Sequence, residues 1–157
     1  MVDFNKIEEI LAREEIQTAS YSKRIIAHII DDLLLSMVII GIFWDSIIQN
    51  AGNTEVILEI ISSSWFILYG VRILYHWLFV QFFGASIGKI VVKIRVIELG
   101  LLDNPNFKQA LLRSLFRALS EFLIYLPFIV IFTNSLKMGL HDMIANTIVV
   151  ELKPYNA

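Results

Sequence analysis

The sequence predicts an all-α membrane protein: three transmembrane segments, an amphipathic N-terminal helix and a small cytoplasmic two-strand element. Three observations predict this class. The 157 residues are 57% hydrophobic and 18% charged, with a mean hydropathy of +0.68, which is far from an ordinary soluble domain. Long apolar runs approach the ~20 residues that cross a bilayer at helical rise. Two short β-branched stretches, IVVKIRVIEL and ANTIVVEL, have the composition of strands.

Residues 1–19 form the first element. Phe4, Ile7, Ile10 and Leu11 follow helical spacing, so an amphipathic helix is expected. Asp3, Glu8, Glu9, Glu14 and Glu15 make it acidic; anionic headgroups would repel it, which favours docking on the protein's own cytoplasmic face. With no apolar core, it is not expected to be a cleaved secretory signal.

The main domain, residues 20–152, then carries its first span at Ile25 to Ile48 and its second at Ile60 to Phe83. The connecting loop, Gln49 to Val56, has turn-forming Gly52 and Asn53 and no lysine or arginine. The loop after the second span holds Lys89, Lys93, Arg95, Lys108 and Arg113. The positive-inside rule puts that basic loop, with Lys23 and Arg24, in the cytoplasm and Gln49 to Val56 outside. A multi-pass location in the bacterial cytoplasmic (inner) membrane with a cytoplasmic N-terminus is therefore expected.

The third segment lies within Phe107 to Leu136 and is interrupted by Pro127. It is either one crossing or a kinked, re-entrant hairpin. Pairing of Ile90–Leu99 with Ala145–Leu152 would put both ends on one side and favour the hairpin, because a lone short strand is not stable. Residues 153–157 are a tail.

Arg24, His28, Asp31 and Asp32 form a column on one face of the first span. A carboxylate in hydrocarbon costs at least ~2.5 kcal/mol, so the column needs partners. Arg72 and His76 on the second span, and Arg113 or Arg117 on the third with Glu121 competing for them, are the candidates. One hypothesis has the aspartates lock the helices through Arg24, Arg72 or Arg113. The other leaves one carboxylate free to bind Na⁺ or H⁺, with Ser36 and a backbone carbonyl as further oxygen ligands.

Arg24 followed by Asp31-Asp32, then GASIGKIVVKIRV, then Arg113, then LHDMIANTIVV together resemble the RDD family of small bacterial membrane proteins over residues 20–150. Ser86 stands where threonine is common. The resemblance implies a multi-span inner-membrane protein, with transport, including cation/proton exchange, proposed for some members.

GASIGK departs from a phosphate-binding loop: three residues separate Gly84 from Gly88, and Ile90 follows Lys89. A tight turn is expected, with Lys89 meeting headgroups or a carboxylate. His141 beside Asp142 either relays protons or belongs to a polar turn capping a short helix, with Asp142 accepting backbone N–H groups or an arginine; Thr147 completes this C-terminal motif. Trp44, Trp65 and Trp77 suit packing and interfacial anchoring.

The absence of cysteine excludes disulfide and thiolate chemistry. Three histidines without ligand spacing predict neither a metal site nor a cofactor. A net charge of −2 predicts no nucleic-acid partner. No catalytic arrangement follows from these spacings. Expected partners are the bilayer, Na⁺ or H⁺, and either a homo-oligomer or a membrane partner protein, since three spans are few for a transport path. An accessory or assembly subunit is the alternative to a transporter.

Overall fold

In the computed structural model, residues 4–100, 102–122 and 134–152 are described, and for Phe4, Glu121 and Phe122 the backbone alone. The elements run α1 (Phe4–Arg13), α2 (Tyr21–Ile42), α3 (Trp44–Gln49), α4 (Thr54–Ser63), α5 (Trp65–Phe83), α6 (Ile87–Val91), β1 (Ile94–Glu98), α7 (Phe107–Phe122), α8 (Leu140–Ile144) and β2 (Thr147–Glu151).

Among the described residues, α2 and α5 are long and apolar enough to cross a membrane, at 22 and 19 residues. Their apolar side chains are not hidden inside the molecule. Met37, Phe66 and Phe82 are 68%, 70% and 69% exposed, which suits hydrocarbon and would be an aggregation hazard in water. The first predicted span breaks at Phe43, between α2 and α3, and the second breaks at Ser64, between α4 and α5. Between the two helix pairs Gly52 takes a positive φ of 100°, and the Asn53 side chain accepts from Val56 N–H to cap α4.

The third predicted span fares differently. Its first half is α7, an amphipathic helix of 16 residues, about 24 Å long and too short to cross alone. Ala110, Arg113, Ser114, Arg117 and Ser120 lie on its buried face, which packs along α5. The Pro127 interruption, and with it the choice between crossing and hairpin, falls outside the described residues, as does the 153–157 tail.

The two strands pair antiparallel, Ile94 opposite Glu151 and Glu98 opposite Thr147. The expected strand over Ile90–Leu99 is shorter than its composition suggested: Ile87–Val91 is helical. Tertiary contacts override β propensity there, since α6 is packed against α2. Both faces of the small sheet are covered. Ile94, Val96 and Val149 join Ala19, Ala27, Val80 and Ala110 on the helix side. Ile97, Ile148 and Val150 join Leu11, Leu136 and Met138 on the other. Burial on both faces explains why β2 reads as a continuous apolar run rather than an alternating one.

Helix α1 docks on that second face through Leu11, 4% exposed, with Ile7 and Ile16 alongside. The segment after it lies beside β2, where Ala19 N–H donates to Val149 O at 3.0 Å and Glu151 N–H to Gln17 O at 2.9 Å. The acidic helix thus rests on protein.

Candidate functional site

The polar residues of α2, α5, α6, α7 and α8 gather where the long helices meet the sheet. They resolve into three carboxylate centres, not one cluster.

Asp31 is fully buried and is reached by three neutral donors. The Tyr75 hydroxyl donates to Oδ1 at 2.7 Å, Gly88 N–H to Oδ1 at 2.8 Å and the Ser86 hydroxyl to Oδ2 at 2.6 Å. This is the pattern of an acceptor-only carboxylate. Ser86 is the N-cap residue of α6, so Asp31 caps that helix from outside and supplies acceptors its first turn lacks. The helix sits close enough that a Cβ on Gly88 would lie 2.1 Å from Ala27 O. Gly84, at φ 67°, ends α5 in the left-handed region and starts the turn.

Asp142 is the second centre, also fully buried. Arg113 pairs with Oδ1 and also donates to the Thr147 hydroxyl at 2.8 Å. Arg24 reaches Oδ2 at 3.5 Å and donates to Val149 O at 3.2 Å. Gly139 N–H donates to Asp142 at 2.9 Å, closing the start of α8. Burial alone would raise this carboxyl's pKa; Arg113, His141 and Arg24 outweigh it and hold the group well below the usual carboxylate range. The adjacent His141 is pushed down to about 3, chiefly by burial, which favours the neutral imidazole.

Asp32 differs from both, because its side chain keeps 34% of its surface exposed. Arg72 donates to Oδ1 at 3.1 Å, and His28 Nδ1 lies 3.4 Å from Oδ2. The same Nδ1 is 2.9 Å from an Arg117 nitrogen. A guanidinium only donates, so neutral His28 accepts from Arg117 through Nδ1. Protonated His28 would instead aim an Nδ1–H at Asp32.

Arg24 and Arg113 therefore do not pair with the adjacent aspartates. Arg24 is seven residues before Asp31, about 10.5 Å along the axis, and at that level β2 and α8 face it. Arg72 pairs with Asp32 but not with Asp31. Ser36 donates to the Asp32 backbone carbonyl at 2.7 Å. Lys89 is neither at headgroups nor on a carboxylate: it is 6% exposed and sits with His76, Arg113 and Arg117 around a small cavity. Burial, then Arg113 and Arg117, push its ammonium well below the ordinary lysine value. The Glu121 side chain lies outside the described residues.

Tyr75 was not singled out by its spacing. Its signal was a phenolic hydroxyl in an apolar helix at the depth of Asp31, where such a group needs a partner. Among the described residues no group of three histidine or acidic side chains could hold a metal ion.

A model of the RDD family matches residues 18–146. No match was found among curated proteins or among solved structures.

Proposed function

The chain belongs to the RDD family, and on that premise we propose that it is a multi-pass protein of the bacterial cytoplasmic membrane in which Asp32 exchanges H⁺ against a monovalent cation. The observation that carries this is the contrast among the three carboxylates. Asp31 and Asp142 are wholly buried and saturated by donors, whereas Asp32 keeps a third of its side chain open. A saturated carboxylate cannot take a cation without breaking the bonds that hold it; Asp32 can.

His28 is the proton partner. When it is neutral, Arg117 holds its Nδ1 and Asp32 answers to Arg72 alone. When it is protonated, that nitrogen turns into a donor for Asp32. A cation arriving at Asp32 competes with both, so loading it expels the proton. The open Asp32–Arg72 pair, one residue from each long helix, also calls for cover in a bilayer, which a second copy of the chain would provide.

A non-catalytic accessory or assembly subunit is the second reading. It is favoured by Asp31 and Asp142 acting as fasteners of the fold.

The experiment is a pH-dye measurement on proteoliposomes given pulses of Na⁺, K⁺ or Li⁺. Wild-type protein should acidify or alkalinise the lumen, and folded Asp32→Asn should not, because asparagine keeps the shape without the negative charge that would hold the cation and the protonated His28. Wild-type vesicles that respond to none of these ions, under either pH gradient, remove the exchanger and leave the accessory subunit.

A further inference from the structure

Between α5, α6 and α7 lies a partly enclosed cavity with no carboxylate among the described residues that line it. Its polar lining is His76, Lys89, Arg113, Ser114 and Arg117. Its free interior has room for about one water-sized species.

Two of these groups are left with work undone. His76 is 5% exposed, and neither ring nitrogen has a hydrogen-bond partner. A buried imidazole in that condition has given up its hydrogen bonds to water without replacing them. Lys89 is as deeply buried, and among the described residues no carboxylate lies within ion-pairing distance of its ammonium. The acid on the facing helix, Asp31, has its oxygens taken by Tyr75, Ser86 and Gly88. Arg113 already serves Asp142 and Thr147. The Ser114 hydroxyl donates to Leu111 O at 2.8 Å, so it brings no donor to the cavity.

We propose that this cavity binds one small inorganic monoanion of halide size, held between the Lys89 ammonium and a His76 N–H. A water molecule would satisfy the imidazole but would leave Lys89 beside two guanidinium groups that, with burial, disfavour its charge; an anion gives the ammonium the counterion that restores it. An anion satisfies both at once. A halide is larger than a water, so the lining must yield slightly to seat one; a tetrahedral phosphate, whether free or on a lipid headgroup, is larger still. The site uses different atoms from the Asp32 exchange centre and stands or falls separately from it.

Purified full-length protein in detergent, at constant ionic strength, is titrated with sodium chloride or bromide in place of gluconate, and its thermal midpoint is followed. A saturable rise is expected in wild type, with the half-saturating concentration raised at least tenfold in Lys89→Met and in His76→Leu. A midpoint equal in chloride and gluconate overturns the proposal, as does an unchanged half-saturation in both variants or an equal rise with inorganic phosphate. Should either variant fail to fold, anomalous diffraction from wild-type crystals grown in bromide decides instead. A bromide peak between Lys89 and His76 supports the site. Density for water alone, or bromide only elsewhere, overturns it.

Discussion

Replacing Asp31 by leucine should be among the most damaging changes to this chain. Three donors at 2.7, 2.6 and 2.8 Å lose their acceptor, and those on Ser86 and Gly88 are buried where α6 packs on α2. Hydrogen bonds to a charged group contribute roughly 1.5–3 kcal/mol each. They do not add in full, because leucine also escapes the desolvation that the carboxylate suffers. The expected loss is about 3–5 kcal/mol: three unsatisfied donors at about 1–3 kcal/mol each, less the carboxylate desolvation that leucine escapes. For a chain of this size that lowers the thermal midpoint by roughly 6–20 °C. Asp31→Asn should cost far less, about 1–2 kcal/mol: the amide oxygen still accepts from Tyr75 and Gly88, while the amide nitrogen donates to Ser86, whose hydroxyl can reverse its role. Fluorescence-detected size exclusion of heated detergent samples measures both. Equal midpoints for Asp31→Leu and wild type, or equal losses for the two variants, would refute the capping argument.

Gly88→Ala should weaken the same contact from the opposite side, since its methyl group would meet Ala27 O at 2.1 Å; a midpoint within 2 °C of wild type, about what 1 kcal/mol moves, would show that α6 is not seated on α2. Leu11→Ala should cost about 2–4 kcal/mol of α1 docking, read as faster proteolysis after Arg13 with the rest of the chain intact. Thr147→Val leaves Arg113 without its second acceptor at 2.8 Å and should cost about 1–2 kcal/mol in the same melting assay. For His141 the folded pKa is about 3 against an ordinary 6.5, so the unfolded chain takes up the proton first. Its contribution to stability is fully present above pH 6.5 and is lost as pH falls towards 3, by about 1.4 kcal/mol per unit. The pH-dependence of unfolding should therefore be shallower in His141→Gln than in wild type across that window.

Much of this arrangement was legible before any coordinates. The apolar runs gave α2 and α5, the β-branched stretches gave the paired strands, and the acidic charge on α1 pointed to docking on protein. Arg24, His28, Asp31 and Asp32 do share the one helix α2. What spacing could not give was the partition of partners, because α8 and β2 reach that helix from more than a hundred residues away. Asp142 therefore takes the two arginines that the column itself suggested for Asp31 and Asp32. Ile87–Val91 was misjudged for a similar reason: its helical turn is held by Ser86 and Asp31, a long-range cap invisible to local propensity. The cavity beside His76 is likewise a product of three helices meeting.

Proton release on adding sodium to the solubilised protein, followed by a pH-sensitive dye in weakly buffered solution, tests the role of Asp32 most directly. Wild type and folded Asp31→Asn should each release up to one proton per chain, saturably, and Asp32→Asn should release none. Release by Asp32→Asn equal to that of wild type, or no release by wild type with any monovalent cation, would contradict it.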